Sequence, residues 1–236
     1  MTDLNPRDIS AILFDKDGTL FDFGATWNAW ATSFLSDLAE GDRDRAVALG
    51  ALIGFDLDAG VYAPDSFVIA GTPDDLVEAL VPEFPNLSRE TLFRLINDEA
   101  AATPMVEAVS LAPLLKRLAA AGLRLGVATN DAEAPAYAHL EAAGVRQSFD
   151  FIAGSDSGYG AKPEPGQLLA FCSAVGVAPN RALMVGDSAH DLTAGRAAGM
   201  GTIAVLTGLA KASDLEPFAD LVLPDIGYLP NWLGLE

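Results

Sequence analysis

The stretch AILFDKDGTL, residues 11–20, changes from apolar to acidic within a single step of the chain. Residues 9–14 form a short apolar run between polar neighbours, which is typical of a buried strand. Asp15 and Asp17 follow this run, and Gly18 can adopt the positive φ of a turn. In an α/β protein, ligands bind at the carboxyl ends of the parallel strands. The two carboxylates are therefore candidates for chemistry at such an end.

Two simpler structures also contain the pattern Asp-x-Asp-Gly. One is an ordinary turn, because Asp and Gly are frequent in turns. The other is a calcium loop, which needs a third oxygen ligand at its fifth position, Gly at its sixth and Glu at its twelfth. Those positions hold Thr19, Leu20 and Thr26, so the calcium loop is excluded. The ordinary turn has to be judged against the rest of the chain.

The composition limits the partners of the protein. The 236 residues, 50% of them hydrophobic, are enough for one large domain or for a domain with an insertion. The net charge is -19, from 33 acidic and 14 basic residues. This charge argues against nucleic acid and anionic membranes as partners, because both need a basic patch. An anionic substrate would need a cation in its site.

The cysteine content and the N-terminus indicate a cytoplasmic protein. Cys172 is the single cysteine, so it cannot form an intramolecular disulfide, which fits a reducing compartment. Residues 1–10 are polar and lack the apolar segment of a secretory signal. No stretch approaches the roughly 20 apolar residues of a membrane span.

The pattern of the chain changes twice and predicts two domains. From about residue 23 to residue 102 the apolar spacing is helical, with no convincing strand. From about residue 110, helices alternate with short apolar strands, which is typical of a parallel sheet with helices on both faces. We expect an α/β, doubly wound core of residues 1–22 and 103–236 and an inserted, all-helical cap of residues 23–102. The later strands are predicted at residues 124–128, 149–153, 181–185, 201–206 and 219–222.

Polar side chains also follow the later strands. Thr129 and Asn130 end the second strand of the core, and Lys162 lies in the loop after the third. Asp187 ends the fourth strand, and Asp191 follows in the first turn of the next helix. Since the carboxyl ends of parallel strands lie at one edge of the sheet, we expect these residues near Asp15 and Asp17.

These residue types indicate phosphoryl chemistry. Several carboxylates near one point repel each other unless a cation lies among them, and a few carboxylates with water suit Mg²⁺. The metal and Lys162 would offset the charge of a phosphate, and Thr129 offers it a hydroxyl and nearby backbone N–H groups. One aspartate can attack phosphorus, while a second can protonate the leaving group and later activate water.

The four polar segments, in this order, resemble the motifs of the haloacid dehalogenase (HAD) superfamily. They are DKDGTL at residues 15–20, ATN at 128–130, KP at 162–163 and GDSAHD at 186–191. With the insertion after the first motif, the chain is similar to phosphoglycolate-phosphatase-like hydrolases that have a helical, C1-type cap on a HAD-like Rossmannoid core. Four ordered motifs over nearly the whole chain outweigh the ordinary turn. The resemblance implies a magnesium-dependent phosphatase that hydrolyses a small, phosphoglycolate-like phosphate monoester through an aspartyl-phosphate.

The resemblance also implies a role for each motif residue. Asp15 would be the nucleophile and a metal ligand, and Asp17 would be the general acid/base and would bind the metal through its backbone carbonyl. Asp187 would bind the metal, and Asp191 would support it through water or through Lys162. The dehalogenases of the superfamily lack the second aspartate of the first motif, so Asp17 favours phosphate-ester hydrolysis. Three residues would hold the phosphoryl group during catalysis: Thr129, Asn130 and Lys162.

Two residues depart from the family pattern. Lys16 lies where an apolar residue is usual, and Phe23 where a small polar residue is frequent; both are expected near the hinge or mouth of the site. His139 falls in a predicted helix without a paired ligand, so we expect it to be partly buried or on the surface. His190 is expected to be structural or at the rim of the site. The cap loop of residues 69–72 is our candidate for substrate selection.

Other cap residues are expected to influence the substrate. Trp27 and Trp30 would face the core of the cap or, when the cap is closed, the cleft. Most cap arginines are expected to be solvated, although one could contact a substrate carboxylate. These arginines are Arg43, Arg45, Arg89 and Arg94.

Two other functions use similar chemistry. A sugar-phosphate mutase of the same superfamily would transfer the phosphoryl group within one sugar, and analysis of the products separates it from a hydrolase. A signalling receiver domain also forms an aspartyl-phosphate in an acidic pocket with Thr and Lys. A receiver is about half this length and has no helical insertion, so the sequence speaks against it.

Overall fold

A computed structural model of the chain describes residues 4–235. The strands are β1 (Ala11–Phe14), β2 (Phe55–Asp56), β3 (Val61–Tyr62), β4 (Arg124–Ala128), β5 (Phe151–Ala153), β6 (Ala182–Gly186), β7 (Gly201–Val205) and β8 (Leu221–Leu223). The α-helices are α1 (Phe23–Leu38), α2 (Arg43–Leu52), α3 (Pro73–Leu80), α4 (Arg89–Ala102), α5 (Leu111–Ala120), α6 (Glu133–Ala142), α7 (Gly166–Val175), α8 (Ala189–Ala198), α9 (Ala212–Leu215) and α10 (Leu229–Trp232). Among the described residues, no helix is long and apolar enough to cross a membrane.

The central sheet is parallel, with the strand order β5-β4-β1-β6-β7-β8. β1 lies between β4 and β6, and all four of its residues are buried. Side chains alternate between the two faces of a strand. Ile12 and Phe14 accordingly pack with α5, while Ala11 and Leu13 pack with α7 and α8. The predicted doubly wound sheet with helices on both faces is confirmed.

The cap contains helices α1 to α4 and has a hydrophobic core of its own. Sequence signals explain where its helices begin. Thr72 caps α3 through a reciprocal capping box with Asp75, and Pro73 occupies the first turn, as its fixed φ permits. Ser88 caps α4 by accepting the N–H of Thr91. The inserted helical cap is confirmed, and the division of the chain at residues 22/23 and 102/103 stays a prediction.

A short antiparallel hairpin in the cap corrects the expectation that this region lacks strands. β2 and β3 contribute two residues each, with Phe55 opposite Tyr62. The Asp56 carboxylate accepts the backbone N–H groups of Asp58 and Ala59, which closes the turn between them. Two residues are too few to produce a visible alternation of apolar and polar side chains, so the sequence pattern did not indicate these strands.

The two connections between cap and core run side by side. The backbone N–H of Asp22 donates to the carbonyl of Val106 at 2.8 Å, and that of Ala108 donates to the carbonyl of Leu20 at 2.9 Å. The cap therefore joins the core next to the end of β1, above the acidic residues. At the other end of the chain, α9 and α10 were not predicted, because four residues are too few for a helical period.

Candidate active site

Three neighbouring strands end at one level and place polar side chains beside each other. Phe14, at the end of β1, is in register with Val127 of β4 and with Val185 of β6. Each of these strands is followed within two residues by a polar side chain of the predicted site: Asp15, Thr129 and Asp187. All three side chains are buried. The register of the sheet thus brings distant parts of the sequence to one point.

The structure brings all of the predicted site residues together. One cavity between cap and core is lined by several of them: Asp15, Asp17, Thr129, Asn130 and Lys162. Carboxylate oxygens of Asp15, Asp187 and Asp191 lie within 4.8 Å of one another. The cap loop of residues 69–72, our candidate for substrate selection, also lines the cavity, and so does His190 at the rim.

Lys162 is held between two of the carboxylates. Its Nζ donates to Oδ1 of Asp15 at 2.7 Å and to Oδ1 of Asp191 at 2.6 Å. Burial lowers the pKa of Lys162, but Asp15 and Asp191 outweigh burial and raise the pKa above its usual value. The ammonium therefore keeps its charge at neutral pH. Both oxygens of Asp191 are engaged, because Oδ2 accepts from the N–H and hydroxyl of Ser188.

The three clustered carboxylates fit a divalent cation. Burial and the neighbouring Asp191 raise the pKa of Asp15 to about 7, although Lys162 opposes this. Burial, Asp15 and Asp191 raise the pKa of Asp187 well above its usual range. One ammonium cannot balance three buried carboxylates, and such a group must take up protons or bind a cation. An all-oxygen donor set of this kind suits Mg²⁺.

Two glycines leave space for the carboxylate of Asp187. Gly18 has a φ of +79°, and a Cβ atom added there would overlap the Asp187 carboxyl group. A Cβ added at Gly208 would overlap Oδ2 of Asp187. Asp187 can occupy its place beside Asp15 only because both neighbours lack a side chain. The positive φ of Gly18 also allows the turn that follows Asp17.

Replacing Gly208 with alanine is expected to weaken metal binding. The new methyl group must displace the Asp187 carboxylate, so we expect the Mg²⁺ affinity to fall by at least about tenfold. Calorimetric titration with Mg²⁺ checks the affinity, and the Mg²⁺ dependence of turnover checks its consequence. Gly24→Ala is the matched control, because its Cβ would have no neighbour closer than 3.6 Å. Equal affinities in the two variants would contradict this reading of the site.

Asp17 is oriented by donors from the core and from the cap. Nζ of Lys16 contacts its two carboxylate oxygens at 2.9 and 2.8 Å. Nε1 of Trp27, in the first cap helix, donates to Oδ1 of Asp17 at 2.9 Å. Lys16 and Trp27 thus fix the orientation of the Asp17 carboxylate, which lines the cavity. The predicted metal contact of Asp17 through its backbone carbonyl leaves the carboxylate available for proton transfer.

Lys16 is buried within the site, although we expected it near the hinge or mouth. It has no exposed surface, and besides Asp17 its Nζ contacts Oδ2 of Asp131 at 3.1 Å and Nδ1 of His139 at 3.0 Å. The ammonium group has three N–H donors and three acceptor groups around it. Burial lowers its pKa, but Asp17 and Asp131 raise it above the usual value overall. The charge of Lys16 is therefore compensated on all sides.

His139 continues this network to the cap. Burial, followed by the charge of Lys16, lowers its pKa to about 4, so the ring is neutral at pH 7. Because Lys16 can only donate, Nδ1 of His139 accepts and Nε2 carries the hydrogen. Nε2 donates to the carbonyl oxygen of Ala100, in the last turn of α4, at 2.7 Å. The expectation of a partly buried or surface histidine is corrected: His139 is buried and links the core to the cap.

Thr129 and Asn130 differ in the contacts of their side chains. The Thr129 hydroxyl oxygen accepts the N–H of Asp131 at 3.1 Å, and its hydrogen can still be donated to a ligand. The Asn130 amide donates to the carbonyl oxygens of Ala70 and Lys162, at 2.7 and 2.8 Å. Its Oδ1 accepts the N–H of Lys162 at 2.8 Å. The Asn130 side chain therefore positions Lys162 and the cap loop, and the predicted phosphate contact would fall to its backbone.

The sequence did not indicate the network around Asp17. A signal was present in Lys16, a basic residue between two carboxylates directly after a buried strand. Lys16 lies in a bend after β1, so the alternation of side chains along a strand does not predict where its side chain points. Its partner His139 is 123 residues further along the chain. A buried lysine needs acceptors, but the sequence alone does not tell which distant residues supply them.

Comparison with known proteins agrees with this geometry. The model of the haloacid dehalogenase-like hydrolase family matches residues 9–199. A phosphoglycolate phosphatase of Rhodospirillum rubrum is 33% identical over 233 residues, covering 95% of this chain and 90% of the relative. A probable phosphatase, IndB, of Dickeya dadantii is 32% identical over 214 residues, covering 91% of this chain and 88% of the relative.

A solved structure shares the fold. CbbY from Rhodobacter sphaeroides, in complex with phosphate, has a TM-score of 0.72 and 23% identity, and the match covers 96% of this chain and 100% of that one. The family match, the relatives and the strand-end carboxylates confirm the resemblance that the motifs indicated. The chain belongs to the haloacid dehalogenase-like hydrolases, and within them it is a phosphoric monoester hydrolase similar to phosphoglycolate phosphatase.

Proposed function

We propose that the protein is a magnesium-dependent phosphatase that hydrolyses a small organic phosphate monoester through an aspartyl-phosphate on Asp15. The observation that carries this proposal is the position of Asp15. It borders the cavity, contacts Lys162 and lies in one cluster with Asp187 and Asp191. A nucleophile, a fixed cation and a cation-binding group thus meet at the place where a phosphate can enter.

The reaction would proceed in two displacements at phosphorus. In the first, an Oδ atom of Asp15 bonds to phosphorus, the bond to the leaving oxygen breaks, and Asp17 donates a proton to that oxygen. In the second, water attacks the same phosphorus and gives a proton to Asp17, and the bond to Asp15 breaks. Orthophosphate leaves, and both aspartates return to their initial states.

Positioning and electrostatics would supply much of the rate enhancement. Lys162 and the Thr129 hydroxyl would bind the phosphoryl oxygens, while Lys16 and Trp27 would orient Asp17. Mg²⁺, held by Asp15, Asp187 and the backbone carbonyl of Asp17, would reduce the repulsion between the carboxylate nucleophile and the anionic phosphate.

Removing the metal is expected to stop turnover reversibly. Phosphate release would be measured from small esters, including 2-phosphoglycolate and sugar phosphates, with Mg²⁺, with excess chelator, and after Mg²⁺ is restored. We expect release to fall to background with chelator and to return with the metal. Chelator-insensitive release, or no release from any ester, would overturn the proposal. A sugar phosphate converted to an isomer without phosphate release would instead identify a mutase.

The proposed partner is a small molecule in a reducing, cytoplasmic setting. The cavity above Asp15 has a volume of about 90 Å³, which suits a compound of few atoms rather than a polymer. The net charge of -19 disfavours nucleic acid and anionic membranes. The buried thiol of Cys172 supports a reducing compartment.

A further inference from the structure

The cavity above Asp15 is apolar on the side that the cap contributes. Large hydrophobic side chains from α1, α3, α4 and the cap loop line it, among them Phe23, Trp27, Trp30, Ile69, Leu76 and Ile96. The polar lining residues belong to the core or to the chain around Gly71 and Thr72. If the phosphoryl group lies beside Asp15 and Lys162, a substrate that fills this cavity places its remaining atoms against this apolar surface.

The cap arginines do not line the cavity, although the sequence suggested that one could contact a substrate carboxylate. Each has another partner on the cap: Arg43 with Asp58, Arg89 with Asp74 and Glu78, Arg94 with Asp98, and Arg45 with the ring of Phe84. Among the lysine, arginine and histidine residues that the structure describes, Lys162 and His190 line the cavity. Lys162 is held by Asp15 and Asp191, and His190 is an exposed residue of the rim.

Negative charge on the cavity wall further disfavours an anionic leaving group. Asp17 and Asp131 line the cavity and share one ammonium group, that of the buried Lys16. Asp17 is protonated before the first displacement and ionised after it. A carboxylate on the leaving group would therefore lie close to Asp131 and to the Asp17 carboxylate that the reaction forms. Like charges in a partly buried site repel strongly, because the low local dielectric screens them poorly.

The N-terminus of α3 is the other place where an anion could bind, and its own residues block it. Helix N-termini attract anions through their free N–H groups. At α3, however, the Asp75 carboxylate accepts the N–H and the hydroxyl of Thr72, both at 2.8 Å. Pro73 has no N–H, and Asp74 adds a further negative charge to the first turn. The partial positive charge at the N-terminus of α3, which faces the cavity, is therefore already offset by Asp74 and Asp75.

We infer that the leaving group of the substrate is an uncharged, largely apolar alcohol of a few carbon atoms, and not a carboxylate-bearing alcohol such as glycolate. This inference rests on the proposed function, because it takes the phosphoryl position from Asp15 and Lys162. Apolar atoms of the leaving group gain contact with Phe23, Ile69 and Ile96. A carboxylate in the same place loses its hydration and finds no cation.

Two isosteric esters test the inference. Isobutyl phosphate and 2-phosphoglycolate have the same number of non-hydrogen atoms and differ in replacing two methyl groups by the two carboxylate oxygens. We expect kcat/KM to be at least about tenfold higher for isobutyl phosphate, a difference of the size that apolar contacts in a pocket produce. A ratio of one or less would overturn the inference.

A cap variant tests whether the lack of a cation on the cavity wall is what disfavours 2-phosphoglycolate. Ile69→Lys places an ammonium group at a half-buried position of the cavity wall. We expect it to shift the ratio of kcat/KM toward 2-phosphoglycolate by at least about tenfold. Val47→Lys is the matched control, since Val47 is 39% exposed on α2 and does not line the cavity. An unchanged ratio in a folded Ile69→Lys protein would contradict the inference.

A binding measurement separates failure of this inference from failure of the proposed function. Trp27 and Trp30 line the cavity, so tryptophan fluorescence reports the binding of either ester to the Asp15→Asn variant. Tighter binding of isobutyl phosphate supports the inference even if no ester is hydrolysed. Tighter binding of 2-phosphoglycolate overturns it even if the protein proves to be an active phosphatase.

Discussion

The Asp15→Asn variant is expected to lose turnover by at least about a thousandfold while remaining folded. An amide oxygen is a poor nucleophile, so the aspartyl-phosphate cannot form. The substitution keeps the shape of the side chain. Lys162 also retains its second partner, Asp191, at 2.6 Å. The measurement is phosphate release under saturating Mg²⁺.

Thermal unfolding without metal provides the second readout for this variant. Burial and the charge of Asp191 disfavour the ionised form of Asp15. A neutral amide at this position removes that repulsion, so the melting temperature without metal should be equal to that of the wild type or higher. Asp44→Asn, an exposed change in α2, is the control. Activity of Asp15→Asn within tenfold of the wild type would contradict its role as nucleophile.

The Lys16→Met variant is expected to show the second-largest effect, on both stability and rate. Methionine keeps the apolar stem but removes the ammonium group that contacts Asp17, Asp131 and His139. Removing one partner of a buried ionic group typically costs about 3–5 kcal/mol, because the remaining charge is left uncompensated. We expect the free energy of unfolding to fall by about 3 kcal/mol, at the low end of this range, since Asp17 is partly exposed.

The rate should also fall, because Asp17 loses the donor that orients it. General acid–base catalysis contributes about 10²–10⁴-fold, and Asp17 keeps its hydrogen bond from Trp27. We therefore expect kcat to fall by at least about tenfold, below the effect of losing Asp17 itself. Urea-induced unfolding and phosphate release would be measured on the same preparation.

A double variant distinguishes a positioning role of Lys16 from a purely structural one. Lys16→Met combined with Asp131→Asn removes one of the two carboxylates left without a cation. We expect this protein to regain part of the lost stability while kcat stays low, because Asp17 is still not held. Recovery of kcat together with stability would assign Lys16 a structural role only. The cycle of single and double variants isolates the coupling between the two residues.

The parallel sheet and the place of the site could be predicted because both depend on local patterns. Short apolar runs that end in polar residues predict parallel strands. Each predicted site residue lies directly after such a run, in the loop that follows it, or in the first turn of the next helix. The register then requires that these ends meet, as Asp15, Thr129 and Asp187 do. The cap loop at residues 69–72, chosen as the candidate for substrate selection from its glycine and its position between helices, lines the cavity, and its role in selection stays a prediction.

Contacts between distant side chains could not be predicted in this way. The pairing of Lys16 with His139 depends on how α6 packs against the sheet and α4, which no local pattern specifies. The orientation of the Asn130 side chain could not be predicted either, because its amide donates to the carbonyl oxygens of Ala70 and Lys162, which are distant in the sequence. The partners of the cap arginines are set by surface geometry, so the sequence left open whether one of them reaches the substrate.

Trapping the phosphorylated enzyme tests the central claim most directly. An aspartyl-phosphate is reduced by borohydride to homoserine, which is stable to digestion. Trypsin cleaves after Arg7 and Lys16, so the peptide of residues 8–16 contains Asp15 but not Asp17. The reaction would be quenched during turnover of p-nitrophenyl phosphate with Mg²⁺, in the wild type and in Asp17→Asn. The nitrophenolate leaves without a proton, so loss of Asp17 slows mainly the second displacement, in which Asp17 is the general base.

Mass spectrometry of the peptide of residues 8–16 then decides the question. The mechanism predicts homoserine at position 15 when ester and Mg²⁺ are both present, more of it in Asp17→Asn, and none when either is omitted. Continued phosphate release with no homoserine at position 15 in either protein, or with the modification at another aspartate, would contradict it.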